Sequence, residues 1–311
     1  MIDRRHLLGL AAGSVVLAAA PAFAQSWKTS YPELVLAVVP AENASGVTQR
    51  YQPFIEYLSK ELGVKVTLRI ANDYAAVIEG QRAGNVHLGA YGPASYSRAY
   101  ITGVKIEPFS TTRNGDGSMG YYSVTYVLAK SSFHKMADLK GKTLALVDPN
   151  STSGNNAPRY FLNRDGYDVD SFFGKNIYAG SHENAVLALV QGTVDAAANW
   201  WNADDDSNLT RMLKKGMLKN ADGSPMKYED FRIIYKSELL PNSPYAYLAS
   251  LPADLKAAIR KAFAEAPTKA KAAFDKLSDG KDKEFVAIDH KAYVPIVEMI
   301  KYVDNMRKKR S

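Results

Sequence analysis

The chain has 311 residues, no cysteine and a formal net charge of +7 at pH 7. Without cysteine it has no disulfide, no thiol nucleophile and no lipidated N-terminal Cys, so its stability comes from its core. A mildly basic, diffuse charge steers small anions and is too spread out to argue for nucleic acid, and the length allows one or two domains.

Residues 1–24 read as a cleavable export signal: Arg4 and Arg5, an apolar run from Leu7 to Ala20, and Ala22-Phe23-Ala24 before Gln25. The run is too short to span a bilayer comfortably. The arginine pair leaves a Sec and a twin-arginine route both open. The segment carries +1 (Arg4 and Arg5 against Asp3), which leaves +6 for the mature chain. Part of that lies in Arg307-Lys308-Lys309-Arg310, which reads as a solvated helix end. The expected location is the periplasm.

Leu34 to Val39, stopped by Pro40, has the continuous apolar character of a buried parallel strand. Tyr51, Phe54, Ile55, Leu58 and Leu62 then recur at helical spacing up to Gly63. Val64–Ile70 predicts a second strand, Tyr74–Arg82 a second helix, and Val86–Tyr91 a third strand. This alternation is that of a parallel α/β sheet. After the turn-rich Asn114–Ser118 comes a long strand, Tyr121–Ala129, and the rhythm restarts. It runs through a strand at Thr143–Val147, a helix after Ser153-Gly154, a strand at Asn176–Tyr178, a helix after Ser181 and a strand at Val194–Asn199. Phe231–Lys236 is a further strand, and Pro252–Ala266 and Tyr293–Met306 are helical by periodicity. The expected fold is two α/β lobes, 25–120 with 240–311 and 121–239, each a mostly parallel sheet flanked by helices with a ligand cleft between them.

Asp148-Pro-Asn-Ser-Thr-Ser-Gly154 lies between a buried strand and a helix that tolerates Pro158 in its first turn. Three consecutive hydroxyls and a glycine at a helix start offer free N–H groups, the positive dipole end and side-chain donors, which suits a tetrahedral oxyanion. A plain N-cap is the other reading, although a cap needs only one hydroxyl. His182, in Gly180-Ser181-His182-Glu183, is either a second anion donor or an ordinary first-turn residue. Tyr74, Tyr91, Tyr121, Tyr122, Trp200 and Trp201 are aromatic candidates for a cleft wall. There is no His-x-x-x-His, no GxGxxG after a strand and no Walker-type loop, so no metal or cofactor is expected. Asp204-Asp205-Asp206 reads as a solvated loop or the first turn of a helix.

Several of these stretches resemble the periplasmic phosphonate- and phosphite-binding proteins of ABC importers (the PhnD type). They are Asp73-Tyr74-Ala75-Ala76, Tyr91-Gly92-Pro93, Gly120-Tyr121-Tyr122-Ser123, Ala137–Lys142, Asp148–Gly154, Gly180–Glu183 and Val194-Asp195-Ala196. The resemblance implies a type II two-lobed binding protein that closes on its ligand and serves a membrane permease as a monomer, without catalysis. It implies that Tyr74, Tyr121, Ser151, Thr152 and His182 hold the phosphorus oxyanion, and Ser153 joins them by its place in the same turn. Tyr91, Trp200, Trp201, Asn202 and Ser243 are candidate pocket-lining residues. Members that take aminoalkylphosphonates use two carboxylates for the ammonium. Here those positions are Asn202 and Ser243, which favours phosphite or methylphosphonate over aminoethylphosphonate. Two other classes stay open: an exported hydrolase using Ser151 or Ser153 with His182, and a protein that presents ligand to a membrane sensor. The absence of a Gly-x-Ser-x-Gly elbow counts against the hydrolase.

Overall fold

A computed structural model describes residues 27–309; the predicted export signal lies outside them. Strands β1 (Glu33–Val38), β2 (Lys65–Ile70), β3 (Leu88–Ala90) and β4 (Ile106–Asn114) come first in the chain. They are followed by β5 (Gly120–Leu128), β6 (Thr143–Leu146), β7 (Lys175–Tyr178), β8 (Ala196–Ala203) and the short β9 (Asp206–Ser207). The last four are β10 (Phe231–Lys236), β11 (Leu240–Pro241), β12 (Tyr245–Leu248) and β13 (Asp282–Ala287). They form two sheets. One has the order β13-β4-β12-β3-β1-β2; the other is β10-β5-β8-β6-β7, with β11 beside β5 and β9 beside β8.

Both sheets are mixed, where mostly parallel ones were expected. β1, β2 and β3 are mutually parallel, as are β6, β7 and β8, but β12 and β4 join the first sheet antiparallel, and β5 and β10 join the second in the same sense. The chain passes between the sheets twice, before β5 and again between β11 and β12. The strands that arrive from the other lobe, β5 and β12, pair with the edge of the parallel set, where antiparallel pairing needs no helical crossover. β4, β12 and β13 escaped the sequence reading, as did the helices Pro93–Ile101 and Asn208–Lys214.

Within each parallel set, every strand leads into a helix at its carboxyl end, because a right-handed crossover must return over the sheet face. Local chemistry marks each start. The side chains of Asn43, Asp73, Ser181 and Ser207 accept N–H bonds from residues three positions on, at the starts of helices Ala44–Leu62, Tyr74–Arg82, His182–Val190 and Asn208–Lys214. Ser151 does the same for the turn Thr152–Asn156, a wide helical turn that feeds the helix Ala157–Arg164. The C-terminal helix Val294–Lys308 packs its Ile296, Met299 and Ile300 with Ala94 from one lobe and Ala157 and Phe161 from the other. Its Asp304 pairs with Arg98 at 2.5 Å and its Tyr302 hydroxyl donates to Asn163 at 2.5 Å, so it is shared by the lobes. Of the basic tail, Arg307, Lys308 and Lys309 are exposed, as expected of a solvated helix end.

Gly154 is where this framework is tightest. A Cβ there would stand 2.3 Å from Val147 Cγ2 and 2.8 Å from Ser151 Oγ. Gly154→Ala is expected to cost about 1–3 kcal/mol by forcing the loop off the strand end, read as a lower denaturant midpoint with an unchanged m-value.

Candidate functional site

A cavity of about 230 Å³ lies between the two sheets. Six helix starts reach its wall through Glu42, Tyr74, Gly92, Ser151, His182 and Asn208, three from each parallel set. Their N–H groups without intrahelical partners and their dipole ends give it a positive bias.

The loop Ser151–Asn156 is buried and rigidly held. Asn156 Nδ2 donates to the carbonyls of Ser151 (2.8 Å) and Pro149 (3.0 Å), and Asn155 Nδ2 donates to Pro149 O (2.8 Å). Ser123 Oγ donates to Ser153 O at 2.7 Å, and Arg159 Nε clamps Asn155 Oδ1 at 2.8 Å. Ser151 Oγ accepts Gly154 N–H (3.1 Å) and Thr152 Oγ1 accepts Ala94 N–H (2.8 Å), the latter from the helix Pro93–Ile101 of the opposite lobe. Each oxygen already accepts one backbone N–H, and both hydroxyls keep a proton to give. Ser153 also lines the cavity, its hydroxyl beside the Tyr121 phenol.

Tyr74 and Tyr121 face the same loop, Tyr74 beside Ser151 and Tyr121 beside Thr152 and Ser153. Burial raises the Tyr74 phenol well above its usual range and pushes Tyr121 up to about 12, so both stay protonated donors. The His182 ring is held neutral by burial, its value pulled down to about 3, and its Nδ1 has no partner among the described residues. The residues expected to hold an oxyanion therefore share one wall.

The pocket-lining expectations divide. Tyr91, Trp200, Asn202 and Ser243 line the cavity, but the Tyr91 hydroxyl is committed to Gln81 Oε1 at 2.7 Å and presents only its ring. Trp201 does not line it. Successive residues on a strand face opposite sides, and Trp201 turns to the outside, beside Tyr122 with Lys236 4.6 Å over its ring. The triple aspartate is not wholly solvated: Asp206 is buried in β9 and accepts from Asn202 Nδ2 at 2.9 Å. The far end of the cavity is also not neutral, as Asn202 and Ser243 alone suggested. Glu42, Arg50, Arg211 and Asp282 all reach its wall. None was singled out in the sequence, because each is a lone charge on an element whose place opposite the loop is set by the crossovers.

Contacts cross the cavity rim. His182 N–H donates to Ala41 O (3.0 Å), and Glu183 accepts from Asn43 N (2.8 Å) and Nδ2 (2.7 Å). Lys215 bridges Glu42 (3.0 Å) and Glu183 (3.5 Å). No hydrogen bond joins the His182 ring to Ser151 or Ser153 among the described residues, so the base-to-nucleophile link of a hydrolase is not formed. Among the described residues no three His, Asp or Glu side chains cluster as metal ligands, and no helix is long and apolar enough to cross a membrane.

With this geometry in place, the comparisons identify the family. Residues 36–293 match the model described as "ABC transporter, phosphonate, periplasmic substrate-binding protein". The chain belongs to that family. The Phosphate-import protein PhnD of Mycolicibacterium smegmatis is 32% identical over 262 residues, 79% of this chain and 77% of that protein. The Phosphonates-binding periplasmic protein of Escherichia coli is 32% identical over 218 residues, 69% of this chain and 60% of its own length. Among solved structures, PhnD1 of Prochlorococcus marinus in complex with methylphosphonate superposes with a TM-score of 0.73 at 20% identity, covering 88% of this chain and 98% of that one, a likeness of fold. The family is one of substrate-binding proteins, which fits a cavity built of fixed donors.

The buried neutral His182 has a consequence for pH. In the unfolded chain its value returns to about 6.5, so between pH 6.5 and 3 the unfolded state binds the extra proton and stability is lost as pH falls. Asp282, raised to about 6 chiefly by burial, acts in the opposite sense over the range above its unfolded 3.8. Comparing His182→Gln with wild type cancels that second contribution. The variant should gain on wild type as pH drops below 6.5, by at most about 1.4 kcal/mol per pH unit, measured by urea unfolding of ligand-free protein. A difference that does not vary with pH would mean the ring is solvated.

Proposed function

We propose that this chain captures a small phosphorus oxyanion, a phosphonate, phosphite or phosphate, in the periplasm and delivers it unchanged to the permease of an ABC importer. One observation carries the reading. The hydroxyls of Ser151 and Thr152 have their oxygens occupied by backbone N–H groups, and with Ser153, Tyr74, Tyr121 and the helix starts they leave a wall made almost wholly of donors. A wall of that kind is costly to bury unless an acceptor-rich group fills it. Three oxygens on phosphorus supply such a group.

The same wall explains why no reaction is expected. Among the described residues no base is bonded to a serine of the wall, and a neutral imidazole with an unpartnered Nδ1 lacks the orienting carboxylate that a hydrolytic triad needs. The chain acts as a monomer and reaches the periplasm through its N-terminal signal. The relatives bind or import phosphate and phosphonates by name, and the head site does not by its donors alone separate those ligands.

Ser153→Ala is the cleanest test, since among the described residues that hydroxyl caps no backbone N–H and meets only the Tyr121 phenol beside it. Removing a hydrogen bond to a charged oxygen should cost about 1.5–3 kcal/mol, roughly ten- to a hundredfold in affinity, with the melting temperature nearly unchanged. Calorimetric titration with methylphosphonate, phosphite, phosphate and sulfate measures it, and product analysis after prolonged incubation should recover the ligand intact. Unchanged affinity for all the phosphorus ligands, or release of inorganic phosphate from methylphosphonate, would refute the assignment.

A further inference from the structure

The oxyanion head occupies only one end of the cavity. A volume of about 230 Å³ corresponds to roughly eight waters at ~30 Å³ each, more than a phosphorus atom with three oxygens and one carbon requires. The remaining space runs toward Arg50, Trp200, Asn202, Arg211 and Asp282.

At that end, opposite charges are incompletely satisfied. The Arg211 side chain is half-buried and its guanidinium lies 4.7 Å over the Trp200 ring. Of its five donors, only one makes a hydrogen bond within the described residues, a long 3.5 Å contact from Nη2 to Ser278 O. It approaches Asp206 at 3.6 Å and Asp279 at 3.3 Å, yet its Nε and Asp206 Oδ1 are both left without a hydrogen-bond partner. Burial and the neighbouring Arg50 hold Arg211 below the usual arginine range despite Asp206, Asp279 and Glu42 nearby. Asp282 faces the same space with only the Thr112 and Ser278 hydroxyls and the more distant Arg211 to offset it among the described residues, and burial raises its carboxyl. Asn202 Oδ1 is buried and unpartnered beside it in the wall. Buried groups left in this state are commonly completed by a ligand.

A tail with one charge serves this end poorly. A lone ammonium would satisfy Asp282 while meeting Arg50 and Arg211, and a lone carboxylate would satisfy Arg211 while meeting Glu42 and Asp282. An apolar tail would leave every one of these groups as it is. A tail carrying both charges matches each group with its opposite and leaves the net charge of the site unchanged.

We propose that the far end of the cavity is a tail subsite for a phosphonate bearing an α-amino acid group, with its carboxylate on Arg211 and its ammonium between Asp282 and the Asn202 amide oxygen. This rests on the reading of the Ser151–Ser153 wall as the phosphorus-oxyanion site.

Calorimetric titrations of the mature protein with methylphosphonate, 2-aminoethylphosphonate, 3-phosphonopropionate and 2-amino-3-phosphonopropionate test it. The amino acid phosphonate should bind at least about tenfold tighter than each of the other three. In Arg211→Gln and in Asp282→Asn that advantage should shrink about tenfold or more, while methylphosphonate stays within about threefold of wild type. Asp282→Asn keeps the shape of the wall and makes no ion pair to lose, so it decides the matter if Arg211→Gln fails to fold. Methylphosphonate binding as tightly as the amino acid phosphonate, or a uniform loss for all four ligands in both variants, would overturn the tail subsite and leave the head site standing. Binding of none of the four by wild type would overturn the head site itself.

Discussion

The rest of this structure depends on one constraint: a parallel strand followed by a right-handed crossover places its helix start at the carboxyl edge of the sheet. Each lobe has three such units, and the lobes set these edges against each other. Six helix starts consequently border one cavity, and their N–H groups have no intrahelical partners. The donor-rich character of the site is thus a property of topology before it is one of particular side chains. Ser151, Thr152, Ser153 and the two tyrosines refine a bias that the backbone already imposes.

Refinement proceeds by removing alternatives. A hydroxyl in water both donates and accepts, and such a group discriminates weakly. Here a backbone N–H fills the oxygen of Ser151 and another fills that of Thr152, one from the same loop and one from the opposite lobe. That contact turns each hydroxyl proton away from the backbone donor and leaves it available to a ligand. The Thr152 contact has a further effect, because it places the helix start at Gly92 and the oxyanion loop in register with each other. Rim contacts among Asn43, Glu183, Glu42 and Lys215 reinforce that register. A ligand that fills the donor wall and the contacts that join the lobes therefore favour the same arrangement, which is how a hinged binding protein couples capture to closure.

The two ends of the cavity follow different physics. The head end is lined by hydroxyl, phenol and backbone donors, with the Asp148 carboxylate behind the Tyr74 helix start, and that arrangement suits a dense anion. The far end mixes guanidinium and carboxylate groups, and the shortage of hydrogen bonds around Arg211 contrasts with the dense network around Ser151–Asn156. Buried charge is tolerated when it is paired and bonded. The contrast between the two networks locates where a ligand has most left to satisfy.

Much of this was legible in the sequence. Cap residues, glycine stops and apolar runs are local signals, and they marked the βα units closely enough for Tyr74, Ser151 and His182 to be recognised as helix starts. The hydroxyl run was visible because its three members are consecutive, and Trp200 and Trp201 were visible as a pair. Local information could not say which of those tryptophans faces inward, since that depends on the pleat of β8 within its sheet. Nor did it show that β4, β12 and β13 join the sheets antiparallel, or that Asp206 is buried. Arg50, Arg211 and Asp282 come from a helix in one lobe, a helix in the other and a late strand at a sheet edge. Each reads in the sequence as one charged residue among many. The sequence by itself determined the helix starts and the oxyanion loop, because hydrogen bonds between near neighbours build them. Only the tertiary structure decided that charges more than 200 residues apart in the chain meet at one end of one cavity, because that meeting is made by two passages of the chain between lobes.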